Sequence, residues 1–267
     1  MTNSTHALLL VAHGSRHPNV ARQVDRLRRA LQAALADHAV HVAYLEHGRP
    51  DVPHVLARLA AAPVARCTIV PLLLSDAQHA SVDMPRIASR ARAELPWSDV
   101  VCTPSVAGHP ALRALSARWL HLAAADLDTG RPWHYVFLGR GGADPPARYR
   151  ELTRFLEARG LPPWIEERRC ALLTEPDWET VLQRHADRPL IVQPHLLFAG
   201  SLFARIEARI DALRAAGDRP VCLVPPLGPA PELVIAVIDR VQSAWPQAAH
   251  CGSRSTVNDR VVPAKPS

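Results

Sequence analysis

Short, nearly unbroken apolar runs alternate along the chain with longer segments whose apolar residues recur every three or four positions. Ala7–His13 reads ALLLVAH and Cys67–Leu74 reads CTIVPLLL. Runs without polar alternation are expected of parallel strands covered by helices on both faces. Between them, Val24, Leu27, Leu31 and Leu35 mark one face of a helix. The first half predicts strands at Ala7–His13, His41–Glu46, Cys67–Leu74 and Asp99–Thr103, and helices at Val20–Ala36, Val52–Ala62, Ser81–Glu94 and Pro110–Ala125. Such βαβα alternation implies an α/β fold with a parallel sheet and right-handed crossovers.

From His134 the pattern starts again. Strands are predicted at Tyr135–Gly139, Ile165–Leu172, Pro189–Pro194 and Pro220–Leu223, and helices at Ala147–Arg159, Asp177–His185, Leu202–Ala216 and Glu232–Trp245. Three local matches fix the register of the duplication. VAHGSRHP aligns with LGRGGADP, EHGRPDVPHVL with LLTEPDWETVL, and IVPLLL with IVQPHLLF, so that Pro18, Pro50 and Pro71 pair with Pro145, Pro176 and Pro194. The reading is two similar α/β domains of the doubly wound kind, each a parallel sheet flanked by helices. They span residues 1–128 and 133–248, with the turn-rich DLDTGRP between them. The polar, Pro- and Ser-containing stretch at 249–267 is expected to be a disordered tail.

Composition narrows the function classes. No stretch approaches the roughly 20 apolar residues of a membrane span, and Met1–Leu10 lacks the pattern of a signal peptide. The 5 cysteines form no CxxC pair, which suggests neither a disulfide framework nor a cysteine zinc site and fits a reducing cytoplasm. A net charge of +6 serves solubility or an anionic partner. Nucleic acid is disfavoured, because the arginines are interspersed with acidic residues and aromatics are only 5% of the chain.

In a doubly wound sheet, ligands bind beyond the carboxyl ends of the strands, where strand order reverses. His13 ends the first predicted strand, Glu46 the second, and His79 follows the third, at intervals of 33 residues. Two imidazoles and a carboxylate on one sheet edge suit a borderline divalent ion and leave coordination positions open for chemistry. Among 14 histidines, one alone at a strand end is usually a hydrogen-bonding loop residue, and Glu46 alone reads as a helix-side charge or ion-pair partner; the coincidence of edge, order and residue type is what points to a metal or catalytic site.

The motifs LLLVAHGSRHP, VAYLEHGRPDVPHVL and IVPLLLSDAQHASVDMP together resemble the CbiX/SirB group of class II chelatases. QPHLLFAGSLFARI resembles the second-half motif of its long, fused-duplicate members. The resemblance departs from the family pattern at Gln78–His79, where Gly-His is usual, and at Met84, where isoleucine is usual. It implies a sirohydrochlorin chelatase that inserts Co²⁺, Fe²⁺ or Ni²⁺, as substrate, into an anionic tetrapyrrole, with no organic cofactor. His13 and His79 would bind the metal and act in catalysis, with Glu46 as third ligand and helper. The macrocycle would lie in the cleft between the halves, with Ser15, Arg16, Arg49 and Arg140 toward its carboxylates.

By the aligned register, His13 faces Arg140, Glu46 faces Leu172 and His79 faces Leu202, so the second half should hold no metal. Arg140 is equally read as an ordinary surface or domain-interface ion pair. His17, His47 and His54 are read as bystanders, and Asp83 and Pro85 as the start of a helix. Ala12, where histidine phosphatases carry arginine before their His-Gly, disfavours phosphate transfer. A metallochaperone using the same ligands and a degenerate regulatory paralogue are the alternatives. A monomer is favoured, since a fused duplicate can close its cleft internally.

Overall fold

The first strand, β1 (His6–Ala12), is buried along almost its whole length, and its two faces sort into different layers as the period of two requires. Ala7, Leu9 and Val11 face one apolar cluster; Leu8, Leu10 and Ala12 face another. A computed structural model describes residues 6–75, 82–128, 130, 132–175, 178–184, 188–217 and 219–245. The proposed tail and His79 lie outside the described residues.

The first sheet comprises β1, β2 (His38–Tyr44), β3 (Arg66–Leu72) and β4 (Asp99–Cys102), in the order β2-β1-β3-β4 and all parallel. Its helices are α1 (Pro18–Ala34), α2 (Val52–Ala60), α3 (Met84–Glu94) and α4 (Pro110–Ala123). The second sheet repeats the arrangement as β6-β5-β7-β8. Its strands are β5 (Trp133–Gly139), β6 (Ile165–Leu172), β7 (Leu190–Pro194) and β8 (Val221–Leu223). The matching helices are α5 (Pro145–Arg159), α6 (Trp178–Gln183), α7 (Ser201–Ala216) and α8 (Pro231–Ala244). The element order is the predicted one throughout, and the strand order reverses between β1 and β3 and between β5 and β7.

Proline and polar caps set where the helices start. Asp51 accepts a hydrogen bond from His54 N at the head of α2, and Asp144 from Ala147 N at the head of α5, each at 3.0 Å. His17 Nδ1 does the same for Asn19 N at 3.3 Å, which gives that histidine a structural task. Asp83 occupies the cap position of α3, with Pro85 in its first turn.

The last helix of each half crosses the seam between them, α8 wholly and α4 with its C-terminal turns. α2 and α3 cover the Ala7–Leu9–Val11 face, and α1 covers the opposite face together with Leu112 and Leu115 of α4 and with α8 of the second half. Trp245 Nε1 donates to Thr68 Oγ1 of β3 at 2.7 Å, and Arg240 Nε donates to Ser105 O at 3.0 Å. Reciprocally, α4 runs onto the second sheet. Its Leu120 joins the cluster of Trp133, Tyr135 and Phe137, and Gln193 Nε2 of β7 donates to Ser116 O at 2.8 Å.

A buried polar network fastens the same seam. Gln193, 1% exposed, accepts from Tyr135 OH at 2.7 Å and from Arg159 Nη1 at 2.6 Å. Arg159 also donates to Ser116 Oγ at 3.1 Å. Burial pushes the Tyr135 phenol well above its ordinary value, with Arg159 pulling against it. Cys67 lies in the core, where burial drives its thiol up to about 12 and keeps it an inert apolar residue. No helix among the described residues is long and apolar enough to cross a membrane.

Candidate functional site

Both predicted first-half ligands that can be placed sit just past strand ends, His13 after β1 at the reversal of strand order and Glu46 beside it after the edge strand β2. The ladder between β1 and β2 runs on beyond the strands: Leu45 N donates to Ala12 O and Glu46 N to His13 O, each at 2.9 Å. Gly14 makes this approach possible. It adopts φ +92°, and a Cβ there would overlap the carbonyl oxygen of Glu46 and lie 2.9 Å from its carbonyl carbon. The backbone thereby delivers His13 and Glu46 side by side, with Nε2 and Oε2 4.0 Å apart.

That separation is too long for a hydrogen bond and suits a shared ion. An ion about 2.1 Å from each of two N and O donors holds them roughly 3 to 4 Å apart. His13 is largely buried and Glu46 half-exposed, with side-chain exposures of 19% and 49%, so the pair is reachable from solvent. His47, read from sequence as a bystander, places Nε2 3.7 Å from the same Glu46 oxygen and adopts φ +46°. Among the described residues no three His, Cys, Asp or Glu side chains converge to hold an ion. His79, the third predicted ligand, is outside them.

The proposed substrate anchors fall into two groups. Ser15 Oγ accepts from His17 N at 3.1 Å and shapes the loop. Arg16 is exposed, and Arg49 is an exposed partner of Asp51. Arg140 lines a cavity of about 570 Å³ formed between the halves. The segments after β3, β4 and β5 surround it, Leu73–Ser75, Ala107–Gly108 and Gly139–Ala143, together with α5. Partial burial lowers the Arg140 pKa, while the Glu46 carboxylate raises it and Arg148 lowers it further. Arg140 thus stands electrostatically between the first-half pair and the cavity.

The strand register corrects one part of the predicted correspondence. Ala12 pairs with Tyr44 and Gly139 with Leu172. Leu173 N donates to Gly139 O at 2.9 Å, as Leu45 N does to Ala12 O. Glu46 therefore corresponds to Thr174, not Leu172. The loop between that strand and the next proline is two residues shorter in the second half, so an alignment anchored on Pro50 and Pro176 slides by two. Gly141 repeats the part of Gly14, with φ +86° and a would-be Cβ overlapping Thr174 Oγ1. The pairing of Pro71 with Pro194 holds, since Val11 and Leu138 partner them. Arginine and threonine in place of histidine and glutamate leave the second half without a cation site of this kind.

Sequence reasoning missed the cavity's floor. His195 takes the place of Leu72 and is 9% exposed, with its ring centroid 4.3 Å from Phe155 and 5.2 Å from Phe137. Burial pulls its pKa down to about 3, with Arg159 adding to the effect, so it stays neutral. The Gln193–Pro194–His195 run was visible as a motif, but nothing in it told a floor residue from a loop residue.

A family model described as CbiX matches residues 7–121 and again 134–244. A sirohydrochlorin cobaltochelatase of Priestia megaterium is 26% identical over 213 residues, covering 76% of this chain and 68% of that protein. A sirohydrochlorin ferrochelatase of Bacillus subtilis (strain 168) is 25% identical over 245 residues, covering 88% and 90%. The crystal structure of the sirohydrochlorin chelatase SirB from Bacillus subtilis subspecies spizizenii, in complex with cobalt, superposes with a TM-score of 0.73. That match has 22% identity and covers 90% of this chain and 95% of that one.

Proposed function

Because this chain belongs to the CbiX family across both of its repeats, we propose that it is a chelatase inserting a divalent metal ion into sirohydrochlorin. The observation that carries the reading is the delivery of His13 and Glu46, 4.0 Å apart, to the strand-order reversal beside the arginine-bearing cleft between the halves. Cobalt and iron are the substrate metals favoured, since relatives of both kinds match; nickel is the third to test.

Metal insertion exchanges two pyrrole N–H protons for one divalent ion. Imidazole and carboxylate fit that exchange, because each binds the ion when deprotonated and takes up a proton as the ion leaves. His13 presents the metal with His79 as second ligand, and Glu46 offsets the ion's charge and accepts a departing proton. His47, beside the same carboxylate, can relay that proton toward solvent. The cleft forms within one chain, so a monomer suffices. The free thiols, with Cys67 kept as an inert core group, suit a reducing cytoplasm.

The test is anaerobic absorbance of sirohydrochlorin with Co²⁺, Fe²⁺ or Ni²⁺, for wild type, His13→Ala and Glu46→Gln. Conversion well above the uncatalysed rate, reduced at least about 100-fold in His13→Ala, is expected. Metal binding by wild type without turnover would instead support a metallochaperone.

A further inference from the structure

The turn that carries His13 is held from two sides. On one side its own half holds it, with Glu46 N donating to His13 O. On the other stands the second half, whose loop after β7, residues 196–200, crosses the seam to the first turns of α1. Leu197 is buried in the first half's core with Leu10, Ala12 and Val20, and Phe198 packs against that cluster. Gln23 then clasps the next residue: its Nε2 donates to Ala199 O at 3.1 Å, and its Oε1 accepts from Ala199 N at 3.2 Å. Asn19 Nδ2 donates to the same carbonyl at 3.2 Å. A side-chain amide that engages both backbone groups of one residue fixes it in two directions, as one strand fixes another.

These contacts lead back to the metal pair. Asn19 N donates to His17 Nδ1 at 3.3 Å, and His17 N donates to Ser15 Oγ at 3.1 Å, two residues from His13. Gly200 closes the path from the other end. A Cβ there would stand 2.8 Å from Val20 Cγ2 and 3.4 Å from Ser15 Oγ. Its φ of −124° is open to any residue, so glycine is required for space and not for backbone freedom. The duplication repeats the device. By the register of Pro71 with Pro194, Ser75 stands where Phe198 does, and its Oγ donates to Glu151 Oε2 of α5 at 2.5 Å. Each half thus sends the loop after its third strand onto the first helix of the other. A device that only joined the halves would be redundant, because α4, α8 and the Gln193 network already do so.

We propose that the loop after β7 is a brace for the metal pair, with Gln23 and Gly200 as positioning residues. Through Ala199 and Gly200 the second half fixes where residues 13–15 stand, and so the place of His13 against Glu46, without itself touching the ion. This rests on the chelatase reading and goes beyond it by giving the QPHLLFAGSLFARI stretch a part in placing a first-half ligand.

The experiment compares Gln23→Met with Gln32→Met. Gln32 makes the same kind of clasp about 14 Å further along α1, donating to His38 O at 2.7 Å and accepting from Val40 N at 3.0 Å within the first half. Both variants are expected to lower the urea midpoint by similar amounts. Only Gln23→Met should raise the Kd for Co²⁺, by about tenfold, and lower kcat of Co²⁺ insertion about tenfold, with KM for sirohydrochlorin within about twofold of wild type. Kd is read from Co²⁺ d–d absorption after subtraction of the His13→Ala signal, so that it reports this pair. Gly200→Ala should behave as Gln23→Met does, and Gly200→Ala/Val20→Ala, which removes the obstructing methyl, should return to within about twofold of Val20→Ala alone. Unchanged Kd and kcat in Gln23→Met, or equal losses in Gln23→Met and Gln32→Met, would overturn the brace and leave the chelatase reading intact. Wild type that binds Co²⁺ through His13 but does not metallate sirohydrochlorin would remove the chelatase reading, and the Co²⁺ affinities would still decide the brace.

Discussion

Replacing Gly14 with alanine separates geometric from general effects at the metal pair. Two contributions add. A non-glycine residue at φ +92° carries roughly 1–2 kcal/mol of backbone strain. The new methyl would also overlap the Glu46 carbonyl oxygen outright, so the two loops must part by more than about 1 Å to reach ordinary contact. The hydrogen bonds from Leu45 N to Ala12 O and from Glu46 N to His13 O cross that seam, and each contributes about 1 kcal/mol net. The expected loss is about 2–4 kcal/mol of stability, and displacement of Glu46 from His13 by about 1 Å or more lowers turnover about 100-fold. Gly217→Ala is the control: φ is +75°, but the added Cβ meets nothing within 4 Å, so only the strain of about 1–2 kcal/mol is expected, with normal turnover. Urea unfolding and metal-insertion rates measure both. Equal destabilisation of the two variants, with full activity in Gly14→Ala, would refute the close-approach argument.

Further expectations concern the second half and the seam. The His195 imidazole is held near 3 when folded and titrates near 6.5 when unfolded, so the unfolded chain takes up the proton first; stability falls on acidification from about 6.5 toward 3, by up to about 1.4 kcal/mol per pH unit. His195→Leu, the residue at the equivalent position Leu72, should flatten that slope by up to one proton, and urea unfolding between pH 6 and 4 that shows an unchanged slope counts against it. Gln193→Leu strips acceptors from the largely buried Arg159 and from Tyr135, and a loss of about 3 kcal/mol is expected from denaturant midpoints; a loss below 1 kcal/mol would mean that the network relaxes around the change. Residues 1–128 expressed alone lack α8 and should expose the Leu8–Leu10–Ala12 face, giving no cooperative unfolding transition; a monomeric, cooperatively folding fragment would contradict the helix crossing.

How far the sequence reached depends on which physical signal each feature left. Element order was legible because strands buried on both faces, such as ALLLVAH, cannot be confused with the stripe of Val24, Leu27 and Leu31. The second strand was read as His41–Glu46 but runs His38–Tyr44, because the partly buried histidines at its start resemble loop residues. His13 and Glu46 could be paired from their places after strands one βα unit apart. Thr174 could not, since the shortened loop before Pro176 leaves no mark in the proline alignment. His47 reads as a bystander in the sequence because the approach of its ring to the Glu46 carboxylate comes from a left-handed turn of a non-glycine residue, which the sequence does not announce.

The helix crossing was illegible for a more general reason, and it bears on why the second half persists. An amphipathic helix declares that one face is buried, not against which sheet. α8 reads as the natural cover of its own sheet, yet Leu233, Val237 and Val241 close the first half's core. The second repeat therefore does three things that a lone first repeat cannot. It roofs the sheet whose ends carry His13 and Glu46, it supplies one wall of the cleft, and it lines that wall with guanidinium groups. Loss of its own histidine and glutamate follows naturally. The arginines lining the cavity would repel a second divalent ion beside them, which accords with Arg140 and Thr174 standing where the first half has His13 and Glu46. On this reasoning, restoring the ligands by Arg140→His/Thr174→Glu should create weak Co²⁺ binding while weakening sirohydrochlorin binding. Isothermal titration with each ligand separately measures the trade, and a variant that gained metal affinity and kept full tetrapyrrole affinity would show that the two tasks are not in conflict.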